Sequence, residues 1–326
     1  MASSLSCDSA KKMVFIVNPH AARGAVGKNW PRIKELAERR LGPFRSLLTT
    51  APGDAVQYAR RAVSEGASTL VCVGGDGTLN EVINGIMNEE GPAEPEVRIG
   101  LIPNGTGCDF RRTLCVPKDP AKALDVIAQG NTRLIDVGRM AFEDGDGRRR
   151  TRYFHNLASF GVGGEVDERV NRSSHCLGGF LSFLAATLIS LLRYKGKRIR
   201  LRVDDRFDEE VVVLNVAVAN GRYHGGGMWV APDADPCDGL FHVTIIGDLS
   251  LPQVFYDLPK LYNGKILQVK EVRSLSGRKV EASSEERVLL DVDGEQPGRL
   301  PVTIEIIPSA LRVLSPQGTP GSILPT

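Results

Sequence analysis

The sequence predicts a two-domain α/β protein: a doubly wound, mostly parallel sheet first, then a mainly antiparallel β domain. Three observations carry this. The first 140 residues alternate short apolar runs with amphipathic stretches. From about residue 137 that rhythm gives way to long β-branched runs. The chain, at 326 residues, is also long enough to build two separate cores.

Met13-Val14-Phe15-Ile16-Val17 is a continuous apolar run ending in Asn18-Pro19, as a buried parallel strand should be. Lys28 to Leu41 is amphipathic, with Ile33, Leu36, Ala37 and Leu41 on one face, and Gly42-Pro43 stops it. Phe44 to Leu48 is a second strand. Asp54 is expected to cap a helix from Ala55 to Glu65, which Gly66 ends. Thr69 to Val73 is a third strand, Thr78 to Asn88 a third helix and Val97 to Ile102 a fourth strand. Repeated β-α units of this kind give an open, Rossmann-like sheet.

In the second half, Asp144-Gly145-Asp146-Gly147 is hairpin chemistry between two strands. Strand runs follow at Ile199–Val203, Glu210–Ala219, Phe241–Ile246, Val288–Val292 and Val302–Ile307. The domains are expected at 1–137 and 138–308. Residues 315–326 read as a tail. Arg148, Arg149, Arg150 and Arg152 form a basic cluster, expected to be a solvated turn, with anionic lipid headgroups as the functional alternative.

Composition excludes several classes. Hydrophobic residues at 42% and charged residues at 25% are ordinary globular values and rule out a wholly disordered chain. A net charge of +2 gives no field that favours nucleic acid. The cysteines at 7, 72, 108, 115, 176 and 237 contain no C-x-x-C pair, which argues against a zinc site and for a reducing compartment. The first twelve residues lack an apolar run, so no signal peptide is expected. Phe180 to Leu192 is apolar but too short to span a bilayer. It reads as a buried helix, or as the wall of a lipid pocket or a membrane-facing helix. Glycine is in excess, at 35 residues, which suggests tight turns and close backbone approaches.

The chemistry concentrates in Gly74-Gly75-Asp76-Gly77-Thr78-Leu79-Asn80-Glu81, directly after a buried strand and opening a helix. Ligands bind at the carboxyl ends of strands in open α/β sheets. Glycines let N–H groups approach a polyphosphate, and the helix N-terminus adds partial positive charge. Asp76 is placed to hold a magnesium–phosphate unit or to orient a hydroxyl. A second loop, Pro103-Asn104-Gly105-Thr106-Gly107-Cys108-Asp109-Phe110-Arg111-Arg112, again follows a strand. Asp109 is expected to cap the short helix behind it, with Arg111 or Arg112 pairing with it or meeting phosphate. Gly24 to Asn29 lacks the spacing and hydroxyl of a Walker A loop. No G-x-G-x-x-G follows the first strand, which disfavours a nicotinamide dehydrogenase, and no G-x-S-x-G accompanies His224-Gly225-Gly226-Gly227, which disfavours a hydrolase.

Together with Asn18-Pro19, Ala231 to Leu240 and Asp293-Gly294-Glu295, these motifs resemble, in order, the diacylglycerol kinase catalytic domain superfamily of lipid kinases. That group includes bacterial-type diacylglycerol kinases and sphingoid long-chain base kinases, with NAD kinases as distant kin. The resemblance covers about residues 12–314. It implies ATP and Mg2+, with the active site in the interdomain cleft and the first domain completed by about 309–326. It implies nucleotide contacts from Asn18, Thr49, Gly74, Gly75, Asp76, Gly77, Thr78, Leu79, Asn80 and Thr106. Magnesium would be held by the Asp238 carboxylate and the main-chain carbonyls of Asp235 and Leu240. Glu295 matches the catalytic base, and Asp76 would assist it. The acceptor is a lipid hydroxyl at a membrane surface, with Phe180–Leu192 and Gly225–Trp229 as candidate pocket walls. The protein would be cytoplasmic and peripheral, without a transmembrane segment, and a homodimer is compatible with the pattern. Two departures stand out: Cys108 replaces an Asn that carries an amide, and Gly163-Gly164 replaces a usual acidic position. The other readings are a soluble NAD kinase-like phosphotransferase and a nonenzymatic lipid-binding protein.

Overall fold

The structure is a computed structural model and describes residues 12–105, 107–172 and 194–318. It divides into two compact units, one comprising residues up to Ile135 together with the segment from Ser309, the other Asp136–Pro308. Thr106 and the apolar stretch 180–192 lie outside the described residues.

In the first unit the order is β1 (Met13–Val17), α1 (Ala25–Leu41), β2 (Arg45–Leu48), α2 (Asp54–Ser64), β3 (Thr69–Gly74), α3 (Asp76–Ile86), β4 (Arg98–Pro103), α4 (Phe110–Thr113) and α5 (Pro120–Gln129). The strands run β4-β3-β1-β2, all parallel. The end of the last strand among the described residues adds to β4, with Arg312 opposite Arg98 and Val313 opposite Ile99. Val14 to Val17 and Leu70 to Val73 are fully buried or nearly so, which is why both strands are unbroken apolar runs. α1 buries Val26, Trp30, Ile33 and Ala37, one stripe at helical spacing, against Phe15 and Val71. The Phe15 and Phe44 rings stack with centroids 4.0 Å apart.

Several local expectations change. α3 starts at Asp76 and ends at Ile86, because Met87–Asn88 turns to pair with Gly91–Pro92. Asp54 does not cap α2. Its carboxylate turns back to accept Thr50 N at 2.7 Å, Thr50 Oγ1 at 2.8 Å and Ala51 N at 2.9 Å. The first turn of α2 is served instead by Glu81, which accepts from Gly53 N and Ala55 N. The start of the tail is tied down: Ser315 N donates to the Asn131 carbonyl, and Arg133 donates to the Gly318 carbonyl.

The second unit contains β5 (Thr132–Glu143, whose first residues belong to the first unit), β6 (Arg149–Phe154), β7 (Leu157–Gly161), α6 (Val162–Arg172), β8 (Lys197–Val203), β9 (Phe207–Ala219), β10 (Phe241–Gly247), α7 (Leu251–Tyr262), β11 (Val272–Gly277), β12 (Lys279–Ser283), β13 (Leu290–Val292) and β14 (Arg299–Leu314, whose residues from Ser309 on belong to the first unit). Its ladders β11-β10-β9-β8-β12-β14 and β9-β7-β13 are antiparallel. β8 alternates strictly: Ile199, Leu201 and Val203 point into the core and Arg198, Arg200 and Arg202 point out. Phe154, Phe160 and Phe241 fill the centre. No helix among the described residues is long and apolar enough to cross a membrane.

Candidate active-site elements

In the first unit the two glycine-rich loops leave β3 and β4 side by side. Val73 pairs with Ile102 and Gly74 with Pro103, and Asn104 N donates to the Gly74 carbonyl at 2.8 Å. The glycines serve this juxtaposition directly. A Cβ on Gly105 would lie 2.5 Å from the Gly75 Cα of the other loop, whereas Gly74 makes room within its own loop, where a Cβ would lie 2.6 Å from Thr78 Oγ1. The loops therefore touch backbone to backbone, which only glycine permits.

Asp76 is the tie between them. One carboxylate oxygen accepts Asp109 N at 2.8 Å and the other accepts Phe110 N at 3.3 Å. Asp76 thus caps α4 from outside, and the expected cap, Asp109, makes no side-chain cap; its carboxylate faces the Arg112 guanidinium at 3.5 Å. Asn18 Nδ2 donates to Thr78 Oγ1 at 3.1 Å, and Asn18 Oδ1 accepts His20 N. The end of β1 is thereby fixed to the first turn of α3. Thr49 is buried, with its N–H on the Val17 carbonyl at 2.9 Å. Thr78, Leu79 and Asn80 are also buried, so nucleotide contacts from Leu79 would come from its main chain. Gly75, at the N-cap of α3, carries no side chain to cap it, and the first-turn N–H groups of the helix suit an anion.

Cys108 shapes its loop through its sulfur. It adopts a left-handed φ of 49°, and its Sγ accepts Gly105 N at 2.9 Å. Burial, aided by the Asp76 charge, pushes its thiol up to about 11.

In the second unit Asp293-Gly294-Glu295 forms a tight hairpin, with Val292 N on the Glu295 carbonyl and Glu295 N on the Val292 carbonyl. Asp293 is the pin of this hairpin. Its buried carboxylate accepts the N–H groups of His155 (3.2 Å), Asn156 (3.2 Å) and Leu157 (2.9 Å) and lies 2.8 Å from His155 Nδ1. Glu295 is the half-exposed tip, and Arg152 donates to it at 2.5 Å. Of the basic cluster, Arg148, Arg149 and Arg150 are exposed as expected, and Arg150 pairs with Asp144. Arg152 is the exception, since it belongs to the Glu295 site. Sequence reading missed that, because Glu295 lies 143 residues along the chain and meets Arg152 only in the folded protein.

Behind the hairpin lies a cavity of about 140 Å3, lined mainly by apolar side chains such as Leu157, Val162, Leu214, Val254, Leu258 and Leu261. Met228, from the stretch expected to wall a pocket, also lines it. One polar patch interrupts the lining. The Asp291 carboxylate accepts from Ser159 Oγ at 3.0 Å, lies 3.1 Å from His224 Nε2, and accepts Gly294 N with its other oxygen. Asp291 therefore links the cavity wall to the hairpin that carries Glu295.

The loop 231–240 is shaped by its own carboxylates. Asp235 Oδ1 accepts Cys237 N and Asp238 Oδ1 accepts Leu240 N, with Gly239 at a φ of 74°. The fully buried Asp136 braces it, accepting Gly239 N at 2.7 Å and donating its own N–H to the Pro236 carbonyl. Among the described residues no three His, Cys, Asp or Glu side chains converge as a metal site. The donors the resemblance names, one carboxylate and two main-chain carbonyls, are nonetheless a hard all-oxygen set that suits Mg2+ with water completing the shell.

Comparison with known proteins follows this division. Residues 12–140 match the diacylglycerol kinase catalytic domain, and residues 156–315 match the YegS C-terminal NAD kinase beta sandwich-like domain. A curated diacylglycerol kinase of Staphylococcus carnosus is 30% identical over 94% of this chain and 96% of its own length. One of Staphylococcus saprophyticus is 29% identical over the same shares. Among solved structures, a diacylglycerol kinase from Bacillus anthracis str. Sterne aligns with a TM-score of 0.69 at 23% identity, over 94% of this chain and 97% of that one. Yeast NADH kinase aligns at 0.50 and 13% identity, over 95% and 84%, so the likeness there is one of fold.

Proposed function

The chain belongs to the diacylglycerol kinase family, and from that footing we propose that it is an ATP-dependent lipid kinase, moving the γ-phosphate to the hydroxyl of a diacylglycerol, a sphingoid base or a related lipid. Membership makes it a nucleotide-using phosphotransferase. The observation that carries the finer reading is the apolar cavity beside the Asp293–Glu295 hairpin, whose lining suits an acyl chain better than a dinucleotide.

On this reading the first unit binds the nucleotide. The N-terminus of α3 and the glycine loops take the phosphates, with Asn18, Thr49, Gly74, Gly75, Gly77, Thr78, Leu79, Asn80 and Thr106 around them. The second unit binds the acceptor. Glu295 accepts the proton of the attacking hydroxyl, and Arg152 holds its carboxylate in place until the acceptor arrives. Asp76 acts with it by fixing the two phosphate loops. Mg2+, held by Asp238 and the carbonyls of Asp235 and Leu240, would supply charge neutralisation and loop rigidity. Phosphoryl transfer asks mainly for positioning and charge, which these parts supply. The enzyme would work from the cytoplasm at a membrane surface.

The test is radiolabelled ATP offered with diacylglycerol, monoacylglycerol, phosphatidylglycerol, ceramide and sphingosine in mixed micelles, and separately with NAD. Label in a lipid is expected. Label in NAD alone would move the protein to the soluble NAD kinase-like class. No turnover of ATP with any acceptor would leave a lipid-binding protein without catalysis.

A further inference from the structure

α7 has two apolar faces. Val254, Leu258 and Leu261 line the cavity. The opposite, exposed stripe is Pro252, Phe255, Tyr256, Pro259 and Tyr262, at spacings of three and four residues and without a charge. A helix on a solvated surface should present polar residues there. Phe255 is 48% exposed, Tyr256 79% and Tyr262 46%, and together they make up half of the large hydrophobic side chains left exposed among the described residues. Such a concentration on one helix face marks an interaction surface.

We propose that the Phe255–Tyr256–Tyr262 face of α7 is the surface that docks this protein on a lipid bilayer, the cavity-lining face of the same helix receiving the chain of a lipid drawn from it. The proposal rests on the lipid-kinase reading for its purpose. The chemistry of the face stands on three points. Tyr and Phe with apolar bodies suit the headgroup boundary, where a hydroxyl stays wet and a ring does not. The charged rim is basic: Lys260 lies 5.7 Å from the Tyr256 ring centroid, and Lys265 and Lys270 follow on exposed positions. The acidic residue of the helix, Asp257, is buried and takes up the Lys260 charge at 2.8 Å, and Glu271 accepts from Gln253 of the helix at 3.3 Å, so the attraction to anionic headgroups falls to Lys265 and Lys270. Thirdly, a lipid acceptor has to leave a bilayer, and α7 lines the cavity proposed to receive it.

The experiment compares the parent with a Phe255→Ser/Tyr256→Ser variant, neither residue lining the cavity. Co-sedimentation is measured with phosphatidylcholine vesicles, with and without phosphatidylglycerol. Kinase activity is measured on a lipid presented in those vesicles and on a short-chain, water-soluble analogue. We expect vesicle partitioning and vesicle-borne activity to fall on the order of tenfold or more, since two large apolar side chains lose their burial. Activity on the soluble analogue should stay, and phosphatidylglycerol should strengthen the parent's binding. A single Tyr256→Trp variant gives a readout that does not depend on the Ser variant folding: its emission should shift to the blue on addition of vesicles. Equal partitioning of parent and double variant, or no shift at Trp, overturns the proposal. So does a parent dimer that becomes a monomer in the double variant with vesicle binding unchanged, which would assign the face to a second copy of the chain. Vesicle binding that depends on these residues in a protein that phosphorylates no lipid would keep the docking face and remove the lipid-kinase reading.

Discussion

Asp293 offers the sharpest test of how the Glu295 hairpin is built. The substitution is Asp293→Asn. Its φ of 49° is left-handed, which Asn tolerates as readily as Asp, so the exchange adds no backbone strain. It removes the charge and turns the oxygen that faces both the His155 N–H and, at 2.8 Å, His155 Nδ1 into an NH2 donor. The carboxylate now accepts three main-chain N–H groups, from His155, Asn156 and Leu157. The amide oxygen of Asn can keep the pair on Oδ1, Asn156 and Leu157. Its NH2 then meets the His155 N–H, and that buried donor is left unsatisfied at a cost of ~1–3 kcal/mol. The two retained bonds lose their charge assistance, worth roughly another 1 kcal/mol. The sum is about 2–4 kcal/mol, a large fraction of the ~5–15 kcal/mol that holds a domain together. Urea unfolding followed by circular dichroism should show a lower midpoint with an unchanged slope. Activity should fall as well, because the pin of the Glu295 turn has weakened. A variant within ~0.5 kcal/mol of the parent would refute the nest of N–H groups as the hairpin's anchor.

Glu295→Gln keeps shape but cannot take a full proton, so kcat should fall on the order of 10²–10⁴-fold with the KM for ATP little changed; a raised KM with kcat intact would assign Glu295 to nucleotide or metal binding. Asp76→Asn keeps one acceptor for the Asp109 and Phe110 N–H groups, so near-parental activity in a stable variant would make Asp76 a loop tie alone, and a loss of activity with an unchanged melting temperature would give it a part in the chemistry. Gly105→Ala places a methyl against the Gly75 backbone and should cost ~1–3 kcal/mol in thermal stability while raising the KM for ATP; a silent substitution would refute the close contact. Cys108 is buried with its thiol pushed up to about 11, so it holds almost no thiolate near neutral pH, and peptide mapping after iodoacetamide treatment should find Cys115 modified and Cys108 intact; rapid labelling of Cys108 would contradict its packing.

Much of the fold was legible because burial writes itself into periodicity. Met13–Val17 and Thr69–Gly74 are covered on both faces, so their sequences are unbroken apolar runs, and β8 is covered on one, so it alternates Ile, Leu and Val with Arg. What was misread is capping. Asp54 and Asp109 stand where a capping residue should stand, and nothing local says that their carboxylates turn elsewhere. The groups that serve those helix starts, Glu81 for α2 and Asp76 for α4, lie 26 and 33 residues away. A cap supplied from a neighbouring element leaves no mark at the helix it serves.

The same distinction runs through the candidate site. Gly74, Gly75, Asp76 and Gly105 were visible as motif, yet Gly75, Asp76 and Gly105 make their tightest contacts with each other's loops, and Gly74 with Thr78 of its own. The glycine pattern thus reports the close packing of β3 and β4 turns at least as directly as it reports a phosphate. Arg152, Asp136 and Asp291 were invisible as site residues because each reaches its partner through tertiary structure: Arg152 to Glu295, Asp136 to Gly239, and Asp291 to Ser159, His224 and Gly294. All three act on a motif residue and not in its place. Motifs name the groups that meet a ligand, whereas the residues that aim those groups are scattered, and only the folded chain collects them. Asp291 shows why this matters for function. It is buried in the wall of the cavity and accepts Gly294 N, so one carboxylate belongs both to the cavity lining and to the turn that presents Glu295.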